Sequence, residues 1–273
     1  MISLANHQQQ LSGNRMKMIT KLISKVKRDG LFALFIAVQK YPFQIKKRNS
    51  YQKMLTLTNQ KKIFTEIYKN NLWSSSESVS GQGSEIAYTE PLRNWLIPII
   101  QTLKVKDFVD APCGDFNWMK HVTQNVDINY IGLDIVDSLI SKNKSEYVSS
   151  KLDFRVANIC KDELPACDMI MVRDCLYHLS YEDINNFLHN LATTDYKYFL
   201  TTTHKVEPDF KNSNINTGDF RIIDLFSEPF YFDPNNIKNR VDDYPKGHPI
   251  MREMILIEKN FVPTSLLNVK FDS

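Results

Sequence analysis

Cysteine is scarce: four residues, Cys113, Cys160, Cys167 and Cys175, in a chain of 273, with no C-x2-C pair. That spacing argues against a structural zinc site, and no metal is expected. The first ten residues are polar and lack an apolar leader core, so free thiols in a reducing cytosol are expected. With 8 glycines, 11 prolines and 42% hydrophobic residues, disordered, collagen-like and disulfide-scaffold classes are excluded. No apolar run approaches the roughly 20 residues that span a bilayer. The longest, residues 31–38, is flanked by Lys27, Arg28 and Lys40. It reads as a helix packing its apolar side on the main domain, with a helix lying on a membrane surface as the alternative. The excess of one charge that marks nucleic-acid binders is also missing, since the net charge is only +3. That figure conceals a division. Residues 1–50 carry ten basic groups and one acid, a local +9, which leaves residues 51–273 at −6.

What is present is a change of rhythm near residue 74. Before it, Ile63, Phe64, Ile67 and Tyr68 share a helix face, and residues 1–73 read as a basic helical extension. A Ser- and Gly-rich loop at 74–89 follows, long enough to suggest function. Thr89 and Pro91 open the next helix, with an apolar stripe from Leu92 to Leu103. Short strands are predicted at 108–111, 130–135, 154–157, 169–172 and 198–202, with helices between most of them. One helix is announced by the capping pair Ser180 and Asp183. Residues 220–226 and 251–258 are further strand candidates. Alternation of this kind predicts an α/β fold, a mostly parallel sheet with helices on both faces.

Ligands in such sheets sit at the carboxyl ends of the strands, beside the first strand–loop–helix turn. Here that turn is VDAPCGDFNWMK, residues 109–120. Asp110 ends the strand, Gly114 permits close backbone approach, and a helix from near Phe116 is expected to aim free amides at an anion. Asp134, twenty residues after Gly114, ends the next strand, where an acid can accept from ribose hydroxyls. The pair therefore suggests an adenosine-type ligand. The loop lacks G-x-G-x-x-G, because Pro112 and Phe116 stand where small residues belong, and a pyrophosphate needs that glycine-lined approach. An acid at Asp110 suits the ammonium of a sulfonium amino acid, so the loop favours S-adenosylmethionine over a nicotinamide. The plainer reading makes Gly114 a turn former and Asp134 a helix cap.

At this point the chain resembles the class I S-adenosylmethionine-dependent methyltransferases, and among them a bacterial and fungal subgroup with a D-x-P-C-G-D-F-N-W loop. The resemblance rests on segments in order: IFTEIYKNNLW (63–73), ESVSGQGS (77–84), VDAPCGDFNWM (109–119), YIGLDIV (130–136), ANICKDELP (157–165), DMIMVRDCLYHLS (168–180) and NINTGDFRIIDLFSEPF (214–230). It implies a Rossmann-like seven-stranded sheet, mostly parallel with its last strands antiparallel, a cofactor-binding domain over 74–273, and methyl transfer to a small acceptor. It also implies that Asp110, Pro112, Cys113 and Gly114 bracket the methionine moiety, Asp134 holds the ribose, Asn158 and Ile159 face the adenine edge, and Ile135 is a further cofactor contact. Asn158 departs from the usual Asp there. Arg173 and Asp174 would close the pocket, and the loop carrying Gly81, Gly83 and Ser84 would fold over it as a lid.

A hydroxyl acceptor needs a base, and histidine suits neutral pH. His178 is the first candidate, His204 the second, and Asp174 orients the histidine or acts itself; each is otherwise a packing or turn residue. Asn214 and Arg221, in the loop after the fifth strand, are candidate acceptor contacts. The resulting expectation is O-methylation of a small molecule or a sugar or polysaccharide precursor. The enzyme would be cytoplasmic, with its basic end near an anionic inner membrane. Alternatives are a nicotinamide-dependent oxidoreductase and a non-catalytic cofactor- or membrane-binding protein. Nucleic acid is not expected as a partner: 51–273 is net acidic, and VRDC lacks the N/D-P-P-Y/F pattern of base methylation.

Overall fold

The computed structural model describes residues 49–51, 54 and 57–269. The chain divides into two compact units, Met1–Gln52 and Lys53–Ser273. The division falls some twenty residues before the boundary expected at 73, because helix α1 (Gln60–Lys69) belongs to the second unit. The apolar stretch at 31–38 and the basic segment that could meet a membrane lie outside the described residues. No described helix is long and apolar enough to cross a membrane.

After α1 come α2 (Glu90–Thr102), β1 (Asp107–Asp110), α3 (Met119–Thr123), β2 (Asn129–Asp134), α4 (Asp137–Tyr147), β3 (Leu152–Val156) and β4 (Met169–Val172). They are followed by α5 (Tyr181–Thr193), β5 (Tyr198–His204), β6 (Ile237–Asp242) and β7 (Arg252–Glu258). The seven strands lie in the order β3-β2-β1-β4-β5-β7-β6. Neighbours among β1 to β5 pair in parallel, and β7 runs antiparallel to both β5 and β6.

Side chains alternate across a strand, and here the alternation builds two cores. Val109, Ile170, Val172, Phe199, Ile255 and Ile257 face the layer containing Ile184, Phe187, Leu188 and Leu191 of α5. Phe108, Met169, Met171, Leu200, Met254 and Leu256 face the layer containing Leu92, Leu96 and Ile100 of α2. Burial on both faces is why β4 reads as the unbroken apolar run MIMV. The Ser180 hydroxyl accepts from Asp183 N at 3.2 Å and starts α5 as its sequence predicts.

Two expectations fail for local reasons. Residues 220–226 are not a strand: Asp219 and Asp224 side chains accept from Phe220 N and Phe226 N, and Asn212 Oδ1 accepts from Asp224 N. Such local bonds satisfy the backbone without a ladder. The sixth strand is instead IKNRVD, an edge strand with few apolar residues and therefore no hydrophobic signal. Nor does a helix start at Phe116. That residue has φ +56°, the loop continues to Trp118, and α3 is five residues long.

Candidate active site

Strand order reverses at β1, which sits between β2 and β4, and the crevice of a doubly wound sheet opens at that point. A cleft is present there, open to solvent at its mouth. Its floor is Asp110, Pro112, Cys113 and Gly114 after β1, Asp134 to Val136 after β2, Ala157 to Cys160 after β3, and Arg173 to Cys175 after β4. Its other walls come from Gln60, Phe64, Tyr68 and Trp73 before the sheet, Val79, Ser80 and Ser84 of the Ser-rich loop, and His178 and Leu179.

Two carboxylates define the floor. Burial pushes Asp110 up to about 7, against the opposing pull of the Tyr130 hydroxyl, which donates to it at 2.7 Å, and of Arg173. Burial likewise raises Asp134 to about 6, although Val136 N (3.0 Å) and Gly114 N (3.2 Å) donate to it. Acids left this basic favour ligands that bring a cation or hydroxyl donors. Pro112, Cys113, Ile135 and Ile159 also lie on the wall. The Asn158 amide is committed elsewhere: Nδ2 donates to Gln60 Oε1, and Oδ1 accepts from Cys160 N.

The amides expected to wait for an anion are in use. Gly114 N serves Asp134, and Asp115 N donates to Ser80 Oγ at 3.0 Å. Asp115 in turn clamps the Ser-rich loop, accepting from Ser78 Oγ at 3.0 Å, Val79 N at 2.9 Å and Ser80 Oγ at 3.3 Å. Asn117 holds the same loop by donating to Glu77 Oε1 at 2.7 Å and Ser84 O at 3.1 Å. Gly114 is required here: its φ is +54°, and a Cβ would lie 2.2 Å from Ser80 Oγ. Gly81, with φ +95°, turns the loop without lining the cleft.

Behind the loop lies a closed set of charges. Arg173 is bidentate on Asp243 (2.8 and 3.0 Å), lies 3.3 Å from Asp174, and donates to Gly83 O at 2.7 Å. Arg252 pairs with Asp174 at 2.8 Å and with Asp243 at 3.4 Å. Burial alone would raise the Asp174 carboxyl, but Arg173, Arg252 and the Tyr177 hydroxyl hold it below the usual range. It is thus a charge partner, ill suited to serve as a base near neutral pH.

His178 closes a short 3-10 turn (Leu176–His178) after β4. Its Nδ1 lies 2.7 Å from Asp219 O, which can only accept, so Nδ1 carries the proton and Nε2 the lone pair. Burial holds the imidazole below its ordinary pKa, and its ring packs at a 30° tilt against Trp73, with centroids 5.2 Å apart. The other expected site residues are not on the cleft wall. His204 is 3% exposed, its Nδ1 accepts from Ile223 N at 3.2 Å, and burial pushes it down to about 4. Asn214 spends its Oδ1 on Tyr181 N and Ile215 N. Arg221 is buried under the turn that precedes α5, over the Tyr181 ring.

The chain is similar in structure to 1,6-didemethyltoxoflavin-N1-methyltransferase of Burkholderia thailandensis, crystallised with its substrate and S-adenosylhomocysteine. The TM-score is 0.56 at 10% identity, over 77% of this chain and 89% of that one. An O-methyltransferase family protein of the same organism gives 0.53 at 11%, over 81% and 70%. Human N-acetylserotonin methyltransferase, in complex with S-adenosylmethionine, gives 0.51 at 11%, over 87% and 69%. The chain has the class I methyltransferase fold. No protein-family profile matches it, and no curated protein matches it by sequence.

On this methyltransferase fold, the residues missed by sequence reasoning fall into three sets. Asp115 and Asn117 sit inside the quoted loop motif, where the run D-F-N was the available signal. Gln60, Phe64 and Trp73 come from the segment assigned to the extension, and Asp243 and Arg252 come from far downstream.

Proposed function

We propose that the protein is an S-adenosylmethionine-dependent methyltransferase that methylates a hydroxyl of a small molecule or sugar precursor. The observation that carries this reading is the composition of the cleft. Two buried, unusually basic carboxylates stand after β1 and β2, and a neutral imidazole with a free Nε2 stands after β4. The donor set fits this cofactor: Asp134 would accept from the ribose hydroxyls, Asp110 would face the ammonium end, and Ile135, Leu139 and Ile159 would flank the base. When bound, S-adenosylmethionine supplies a methyl group on a sulfonium, with a good leaving group already in place.

The protein's own work is alignment, exclusion of water and movement of one proton. The loop clamped by Asp115 and Asn117 covers the floor and keeps water out. His178 Nε2 takes the acceptor hydroxyl's proton as the oxygen attacks, and the Asp219 carbonyl stabilises the imidazolium through Nδ1–H. A polysaccharide-precursor acceptor, a cytoplasmic location and contact of the basic residues 1–50 with an anionic membrane belong to the same reading. They rest on the subgroup resemblance and the charge division.

Calorimetry with S-adenosylmethionine and with NAD tests the cofactor, and no binding of the former removes the reading. His178→Gln should keep the cofactor affinity and lose transfer by ~100-fold or more. Mass spectrometry of glycans and nucleotide sugars from cells with and without the gene should reveal a product missing the mass of one methylene.

A further inference from the structure

Three arginines are buried among the described residues, and only two of them have carboxylates. Arg173 and Arg252 share Asp174 and Asp243. Arg221, 5% exposed, has none: Nη2 reaches the Leu176 carbonyl at 3.4 Å, and neither Nε nor Nη1 has a partner among the described residues. Its guanidinium lies 5.0 Å from the centroid of the Tyr181 ring, and the Tyr181 hydroxyl, itself buried, also lacks a partner. A desolvated cation with unmet donors is costly to a fold. Here one such cation lies over the ring of a tyrosine whose hydroxyl is also unmet, and the described residues supply neither a carboxylate nor enough carbonyls. A planar guanidinium and a hydroxyl without acceptors make a donor set that an oxyanion completes.

The place matters as much as the chemistry. Arg221 N donates to Tyr177 O at 3.2 Å and Gly218 N to His178 O at 2.7 Å, so residues 218–221 are strapped to the turn that carries the base. His178 and the adjoining Leu179 form the cleft wall there. Arg221 is also among the charges that depress the basicity of His178.

We propose that Arg221 and Tyr181 form a buried site for a small oxyanion such as phosphate, behind the turn that carries His178 and off the cleft wall. The binding of this oxyanion does not rest on the methyltransferase reading.

The test is calorimetric titration of inorganic phosphate into the full-length protein, against sodium chloride at equal ionic strength, with S-adenosylmethionine affinity measured in parallel. The wild type should bind phosphate; Arg221→Met should weaken it by ~10-fold or more, and Arg221→Lys and Tyr181→Phe by less. Because Arg221→Met removes an unpaired buried charge, it should melt at or above the wild-type temperature without phosphate. Unchanged phosphate affinity in Arg221→Met and Tyr181→Phe, or a melting temperature for Arg221→Met below the wild type's, overturns the proposal. Should Arg221→Met not fold, phosphate affinities of Arg221→Lys and Tyr181→Phe equal to the wild type's do the same. Phosphate binding without S-adenosylmethionine binding would leave the anion site standing and remove the methyltransferase reading.

Discussion

Asp243 was not suggested by any motif, yet it holds the back of the cleft together. It is fully buried and accepts from Arg173 Nε at 2.8 Å, Arg173 Nη2 at 3.0 Å and Arg252 Nε at 3.4 Å. With Asp174 it balances two arginines, so Asp243→Ala leaves one uncompensated positive charge in a dry site. Breaking a buried pair from one side costs about 3–5 kcal/mol. In a domain of this size each kcal/mol is about 2–4 °C, so the melting temperature should fall by ~6–20 °C. Asp243→Asn keeps shape and an acceptor and should lose about half as much. The double variant Asp243→Ala with Arg252→Met restores neutrality, and its loss should be smaller than the sum of the single losses by ~1–3 kcal/mol. Urea unfolding and calorimetry of these three variants and of Arg252→Met alone measure these differences. Because Arg173 also donates to Gly83 O, hydrogen exchange of the 77–84 loop should speed up in Asp243→Ala. A loss under about 1 kcal/mol, or strict additivity in the double variant, would refute the idea of a charge-balanced cluster.

Three further outcomes follow from the same geometry. Asp110 and Asp134 are raised to about 7 and about 6, so each favours the protonated form in the folded protein. A ligand ammonium or hydroxyl donors favour the ionised form, hence S-adenosylmethionine affinity should rise with pH from 5 to about 7.5 and then level. Calorimetry in buffers of different ionisation enthalpy should register proton release near pH 6, and a flat profile would argue against the assignment. Asp115→Ala unhooks Ser78, Val79 and Ser80; losing about 2–3 kcal/mol of loop closure should weaken cofactor binding ~30–150-fold. Gly83→Ala places a Cβ 2.8 Å from both Asp174 Oδ2 and Arg252 Nη2. It should cost about 1–3 kcal/mol by displacing that pair, read as a lowered urea midpoint.

What was legible in the sequence is chemistry whose cause lies within a few residues. The apolar runs of β4 and β5 report burial on both faces, Ser180 and Asp183 report a helix start, and Gly114 with Asp134 reports a turn against an acid at a strand end. Those local signals sufficed for the sheet, its parallel sense and the floor of the cleft. Where a local signal was missing or ambiguous, the reading went astray. The edge strand at 237–242 is too polar to show an apolar pattern. The segment 220–226 shows one, but side-chain caps hold it outside the ladder.

Only the tertiary structure decided which candidate acid–base groups remain available for chemistry. His178 and His204 both follow strands at the carboxyl edge, and nothing in their neighbouring residues separates them. One meets a backbone carbonyl that leaves the lone pair on Nε2, and the other is buried with its Nδ1 held between Ile223 N and Ile223 O. Asp174 loses its basicity to its neighbour Arg173 and to Arg252, 78 positions away, and Arg173 finds Asp243, 70 positions away. The sequence alone determined a mostly parallel α/β sheet and an acid at the end of each of its first two strands, since propensity and periodicity act over short range. Protonation, pairing and burial depend on which distant segments meet, and that meeting is settled only when the whole sheet closes.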